Sequence, residues 1–241
     1  MDAAVRTTKK YGYPKAYTGL KPLSEQIDTL ASFAGRLGFE IDPAPVHAVA
    51  ARTESIALPE GAEGWGAILS PGLVGSERRE REVMIELLRM QGPYDIDVRF
   101  EHSEFFEEEY FRRDPLTQKM YETLSEQQPG DIHILPVQFG QRYAEVSDGE
   151  AIKNFGGPFG EFGLGLLAGA SLIATHPDRI GEYADLGVSL PGDQYHYRHS
   201  SKKFSRLCLV KQLGQRVTLM HFKRDAEWMR DHGAASGFIW E

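Results

Sequence analysis

The first 90 residues alternate between helical spacing and short apolar runs. Apolar residues recur at intervals of three and four along one predicted helix: Leu23, Ile27, Leu30, Ala34 and Leu37. A second helix is predicted over residues 76–90, with a serine cap at its start. Between the two helices, the apolar runs 46–56 and 65–69 predict short strands.

The middle of the chain changes period. Residues 95–101 alternate strictly between apolar and charged side chains, which predicts a half-buried strand. An aromatic and acidic helix is predicted over residues 104–111, and another helix over 115–127. The continuous apolar run 132–139 then predicts a buried strand.

The last 90 residues combine a glycine-rich segment, one apolar helix and several strand patterns. The predicted elements are a helix after Gly165 that ends near Thr175, a strand 186–190, a hairpin of 204–210 with 217–222, a short helix capped by Asp225, and a final strand 237–240. Helices and strands do not alternate regularly along the whole chain. We therefore expect the α+β class, with a mixed sheet, several packed helices and a C-terminal β-hairpin.

Changes in composition suggest three regions. Residues 1–21 carry five basic side chains against one acidic one and three tyrosines, so they form a basic N-terminal arm. Residues 22–92 form a helix-rich region, and residues 93–241 form an α+β region that can share one domain with it. The arm suits phosphate contacts and base stacking, but we favour tyrosines that pack back on the body.

Composition narrows the class of protein. The 241 residues are 41% hydrophobic and 26% charged, as in soluble globular proteins. The single cysteine, Cys208, excludes an internal disulfide framework. The longest strongly apolar run, 164–174, is about half of what a spanning helix needs. With no apolar signal segment near residue 1, we expect a cytoplasmic protein with no membrane partner.

Charge is strongly segregated near the C-terminus. Residues 194–224 contain eight lysines and arginines and no acidic residue, in a chain of net charge −8. Such a stretch can hold an anion even on an acidic protein. The candidate anion- or partner-binding residues are Arg198, Lys202, Lys203, Arg206, Lys211 and Arg216. Tyr195, Tyr197 and Phe204 are available nearby for stacking.

These observations lead to one functional hypothesis. We expect a non-catalytic binding protein that uses the basic loop and hairpin 194–224 to hold an anionic partner, which is an acidic protein surface, a phosphorylated ligand or nucleic acid. No cofactor is predicted for this function. Internal neutralisation by the acidic segment 101–114 stays open, because surface charge runs are often solvated or paired within the protein.

A metal-dependent hydrolase is the first alternative. Imidazole and carboxylate side chains that can ligate a divalent metal occur at Asp193, His196, His199 and His221. The spacing of three clusters them only in a helix, whereas Pro191-Gly192 favours a loop. A structural subunit of a larger assembly is the second alternative.

Other motifs give weaker indications of function. Gly163, Gly165 and Ala168 match a dinucleotide-binding spacing, but the preceding glycines cannot form the strand that this motif requires. We expect Gly165 and Gly169 to allow close helix packing instead, with an anion nest at the glycine loop as the alternative. No nucleophile elbow or phosphate-binding loop is present, and Cys208 lies in a run expected to be buried.

Overall fold

The computed structural model describes residues 11–53, 55–90, 95–99, 107–158, 160–182, 184–213, 216–225 and 231–240. The helices of this part are α1 (Leu23–Arg36), α2 (Ala44–Thr53), α3 (Pro71–Val74), α4 (Glu77–Arg89), α5 (Pro115–Gln127), α6 (Asp148–Lys153) and α7 (Leu166–Thr175). The strands are β1 (Gly64–Leu69), β2 (Asp95–Arg99), β3 (Phe111–Arg113), β4 (Ile132–Gln138), β5 (Glu161–Gly163), β6 (Gly187–Tyr195), β7 (Arg206–Leu213), β8 (Arg216–Lys223), β9 (His232–Ala234) and β10 (Ser236–Phe238).

The strands form two sheets. The first has the order β1-β4-β10-β5 and is antiparallel throughout. The second has the order β2-β8-β7-β6-β3, with β9 also paired to β6. In this sheet β2 runs parallel to β8 and β9 parallel to β6, whereas the other pairs are antiparallel. The α+β class is therefore confirmed, and β7 and β8 form the predicted hairpin.

The apolar helix α7 lies at the centre of the fold. All ten of its residues are buried, and it contacts α1, α4, β1 and β6, so it lies between the two sheets. One hydrophobic cluster includes side chains from both the 22–92 and the 93–241 regions, such as Met84, Leu172 and Val210. Gly169 permits this packing, because a Cβ there would lie 2.2 Å from Leu190 Cδ2.

Capping side chains set several helix starts where the sequence predicts them. Ser76 Oγ accepts a hydrogen bond from the Arg79 N–H of α4 at 3.2 Å. Asp114 Oδ1 accepts one from the Leu116 N–H of α5 at 2.9 Å. The predicted helices 23–37, 76–90 and 115–127 are confirmed to within a residue or two at each end, as are the strands 65–69 and 132–139.

Two local predictions are wrong, and one predicted strand extends further than expected. The predicted strand 46–56 is the helix α2, whose buried residues Val46, Ala50 and Thr53 follow helical spacing. The predicted helix 104–111 lies partly outside the described residues. Its described end is a short 3-10 turn followed by β3, which pairs with β6. The predicted strand 186–190 is longer, because β6 continues to Tyr195.

The described part of the N-terminal arm packs on the body. The Tyr17 ring lies 6.3 Å from the rings of both Phe139 and His176. The Arg179 guanidinium, which is fully buried, lies 4.3 Å from the Tyr13 ring. Tyr13 also donates a hydrogen bond to Glu63. Tyr13 and Tyr17 therefore pack back on the body, as the favoured interpretation of the arm predicts.

The short helix expected after Asp225 lies outside the described residues, and the final strand is β10. Among the residues that the structure describes, no helix has the length and apolar character needed to cross a membrane.

Candidate anion-binding surface

The length of β6 determines where the loop of the basic stretch begins. Residues 191–193 form a bulge within the strand, since Leu190 pairs with Cys208 and Gln194 with Leu207. A bulge tolerates a proline, which has no N–H for the sheet ladder. Pro191-Gly192 therefore does not end the strand, and the loop of the basic stretch begins only after Tyr195.

The face of the second sheet that lines the core continues to the protein surface at the end of the hairpin. Cys208, Val210 and Leu219 point into the main core from β7 and β8. Because alternate residues of a strand share a face, Arg206 lies on this same face, opposite Lys223, and His221 lies opposite Cys208. The apolar face thus continues into a basic and aromatic surface at the end of the hairpin.

Six rings lie at this end of the sheet, and we call them together the histidine–aromatic patch. They are Tyr110, His196, Tyr197, His199, Phe204 and His221. Tyr197, His199 and His221 form one group with Arg206 on the core-side face, and the other three form a second group with Arg112 on the opposite face. Five of these side chains are half-buried and His199 is exposed. The His196 ring lies 6.1 Å from Tyr110 and 5.7 Å from Phe204. The Tyr197 ring lies 5.3 Å from His199 and 5.6 Å from His221.

Two guanidinium groups lie over rings of the patch. Arg206 Cζ is 4.6 Å from the centre of the Tyr197 ring, and Arg112 Cζ is 4.4 Å from that of Phe204. Both distances are within the range of cation–π contacts. The patch therefore combines flat rings with positive charge.

His221 is held neutral within this cationic surface. Burial and the neighbouring Arg206 lower the pKa of His221 to about 4. Arg206 Nη1 lies 3.0 Å from His221 Nδ1. Since a guanidinium can only donate, Nδ1 is the acceptor and the imidazole proton lies on Nε2. At neutral pH, the positive charge at this point comes from Arg206 and not from the histidine.

Phe204 has an unusual backbone. Its φ is +50°, in the left-handed region that bulky residues rarely adopt. Such a conformation costs about 1–3 kcal/mol and persists only where surrounding contacts hold it. Here the ring packs between Arg112 and His196. These two contacts hold the ring in place against the cost of the strained backbone.

Exposed basic side chains surround the rings. Arg198, Lys202, Lys203 and Lys223 are exposed around the patch. Among the described residues, the acidic side chains nearest to the patch along the sequence are Asp225 and those of the exposed turn Glu107–Glu109, just before Tyr110. Segment 107–114 also meets the basic stretch at Gln194, which accepts from Arg112 at 2.7 Å and donates to Asp114 at 2.9 Å.

Two of the six predicted anion-binding residues lie elsewhere. Lys211 is buried on the opposite face of the hairpin, and its Nζ lies 2.6 Å from Asp231 Oδ2. Arg216 lies at the far end of β8, about 24 Å from Arg206 along the strands, and is paired in register with Asp95 of β2. Arg198, Lys202, Lys203 and Arg206 are the four that lie around the patch.

The predicted metal ligands have separate environments. His196, His199 and His221 belong to the ring contacts of the patch, and Arg206 stands against Nδ1 of His221. Asp193 is buried and faces inwards. Within the described ranges, no group of three or more His, Cys, Asp or Glu residues is arranged to hold a metal ion. Metal binding at these four residues stays a prediction.

Asp193 instead occupies the start of α7. Its Oδ2 accepts a hydrogen bond from the Leu166 N–H at 2.6 Å, while Tyr121 Oη accepts one from the Gly165 N–H at 3.0 Å. A helix N-terminus stabilises a negative charge. The anion at the glycine loop is therefore a carboxylate of the protein itself.

A buried arginine completes this arrangement. Arg113 Nε lies 3.2 Å from Asp193 Oδ1, and its Nη2 donates to Glu80 Oε2 in a short hydrogen bond. Burial opposes the charge of Arg113, but Asp193 and Glu80 outweigh it and raise the pKa of the guanidinium above its usual value. Asp193, Arg113 and Glu80 thus link β6, β3 and α4.

A cavity between three helices has the opposite electrostatic character. It measures about 610 Å³, lies between α3, α4 and α5, and has Arg113 and Glu80 at its wall. Glu77, Glu122 and Glu126 also line it. Because Arg113 is already paired with Glu80, the cavity is negative overall and does not suit an anion.

Sequence reasoning missed Tyr110 and Arg112, which lie more than 80 residues before the basic stretch. They reach the patch because β3 pairs with the end of β6, with Arg112 opposite Gln194. No local pattern indicated this pairing, since the segment was predicted to be helical. Comparison of the sequence with protein-family models finds no match, and comparisons with curated proteins and with solved structures also find none. Functional inference therefore rests on the geometry alone.

Proposed function

We propose that the protein is a non-catalytic binding protein that holds an anionic partner on the histidine–aromatic patch and its surrounding basic residues. One observation carries the proposal: Arg198, Lys202, Lys203 and Arg206 surround a half-exposed cluster of rings in a stretch with no acidic residue. The proposal includes a cytoplasmic location, with which the single free Cys208 is compatible.

The arrangement favours binding because its charged groups remain accessible. Lys202 and Lys203 are exposed on the loop between β6 and β7. By contrast, Lys211 and Arg113 are buried and held by carboxylates. Exposed cations on an acidic protein create a local field that attracts an anion and weakens as salt increases. Binding through them is expected to depend strongly on ionic strength.

Heparin, a generic polyanion, tests this proposal. The protein is loaded on a heparin column at low salt and eluted with a NaCl gradient. We expect the Lys202→Gln/Lys203→Gln variant to elute at distinctly lower salt than the unchanged protein. The matched control, Lys119→Gln/Lys153→Gln, removes two exposed lysines from α5 and α6 and should elute close to the unchanged protein.

Two results would count against the proposal. If the unchanged protein passes through the column at low salt, the surface does not hold a polyanion. If both double variants shift equally, retention follows net charge and not the location of the lysines. Circular dichroism of each variant establishes that the fold is retained.

A further inference from the structure

The partner of the histidine–aromatic patch can be specified further. This step rests on the function proposed above and asks which kind of anion the patch suits. An acidic protein surface offers carboxylates, which need only cations. A duplex presents its phosphates outside and keeps its bases stacked inside. Of these three macromolecular partners, only a single-stranded nucleic acid offers both phosphates and unstacked flat bases.

The patch presents groups that can contact both phosphates and unstacked bases. Tyr197 and His199 offer partly exposed or exposed rings, and stacking of bases on aromatic side chains is tolerant of sequence. Lys202 and Lys203, in the loop that follows these rings, are exposed for phosphate contacts. Arg206 lies over the Tyr197 ring, so a guanidinium plane also belongs to the stacking surface.

We propose that the patch binds single-stranded nucleic acid on its Tyr197 side, with bases stacked on Tyr197 and His199 and phosphates held by Lys202 and Lys203. The small number of cations indicates a short site, of about four nucleotides, at the lower end of known site sizes. The proposal requires no reading of base edges, so sequence preference is weak.

Fluorescence anisotropy tests the inference with three anionic probes. These are a labelled single-stranded 12-nucleotide RNA of mixed sequence, the corresponding duplex, and a poly-glutamate peptide. We expect the single strand to bind at least about tenfold more tightly than the other two. With Lys202 and Lys203 as the two phosphate contacts, the slope of log K against log salt is about −1.4, and Lys202→Gln/Lys203→Gln brings it close to zero.

Ring variants separate stacking from charge. Tyr197→Ala is expected to weaken single-strand binding by between about 5-fold and 150-fold, the range for losing one stacked base. The matched control is Phe33→Ala, because Phe33 is a half-buried ring on α1 with the Arg36 guanidinium 5.7 Å from its centre. Since Tyr197 also packs on Arg206, the exposed His199→Ala provides a second variant should Tyr197→Ala fail to fold.

The outcomes distinguish the two proposals. Equal binding of poly-glutamate and single-stranded RNA, with no effect of the ring variants, overturns the inference but leaves a general anionic partner. Preference for the duplex also overturns it. If none of the three probes binds at low salt, the inference and the proposed function both fail.

Discussion

Replacing Asp193 tests whether this residue is part of the framework that supports the binding surface. Its carboxylate accepts hydrogen bonds from the Leu166 N–H at 2.6 Å and from Arg113 Nε at 3.2 Å, and it is 6% exposed. Asp193→Ala removes both bonds. It leaves the start of α7 and one side of a buried guanidinium without their anion.

The structure gives the size of the effect. Removal of one partner from a buried ion pair costs about 3–5 kcal/mol, because the other charge stays desolvated. Glu80 continues to pair with Arg113, so we expect the lower half of this range, about 3–4 kcal/mol for Asp193→Ala. Asp193→Asn keeps an oxygen for the Leu166 N–H and loses only the charge. It should cost about 1.5–3 kcal/mol, which is typical of a hydrogen bond to a charged group.

Urea denaturation at pH 7, followed by circular dichroism, measures both changes in the free energy of unfolding. The matched control is Asp225→Asn, in an exposed side chain 3.7 Å from Arg224, which should change stability by less than about 0.5 kcal/mol. A decrease of less than about 1 kcal/mol in the free energy of unfolding for Asp193→Ala would refute the reasoning. The carboxylate would then not be needed to compensate the buried charge of Arg113.

Two more predictions concern stability. Burial opposes the charged form of His232, but its contacts with Asp148 and Asp231 raise its pKa to about 9. Because this pKa is raised above the usual 6.5 or so, the stabilisation is complete below about pH 6.5 and is lost as pH rises through 9; it amounts to about 3 kcal/mol. Thermal unfolding from pH 6 to 10 should show this loss, and a His232→Gln variant with an equally steep profile would contradict it. Gly192→Ala should cost at least about 1–3 kcal/mol in urea denaturation, since its Cβ would lie 2.4 Å from the Gly163 backbone oxygen; an unchanged midpoint would show that the bulge of β6 can move.

The basic stretch shows how far a charge pattern predicts a site. The absence of acids in residues 194–224 identified Arg198, Lys202, Lys203 and Arg206, which lie around one surface. The same pattern also included Lys211 and Arg216, because it does not record on which face or at which end of a strand a side chain lies. Burial of Lys211 against Asp231 depends on β9, which joins the sheet from beyond the hairpin.

Asp193 illustrates a second limit. Its spacing from His196 and His199 suggested metal chemistry, and the glycine loop suggested a place for an anion. The structure connects the two observations in another way, since the bulge of β6 turns the Asp193 carboxylate to the start of α7. A bulge and a loop can have the same local sequence signals, and the choice between them depends on the pairing partner.

By itself, the sequence determined the features that depend on local period and capping. The helices α1, α4 and α5, the strands β1 and β4 and the hairpin of β7 with β8 follow from apolar spacing, from Ser76 and Asp114, and from short-range pairing. Only the tertiary structure decided that α2 is a helix, that β3 brings Arg112 and Tyr110 to the patch, and which charges are buried. The physical reason is range: periodicity and caps act over a few residues, whereas strand order and burial depend on contacts between segments far apart in the chain.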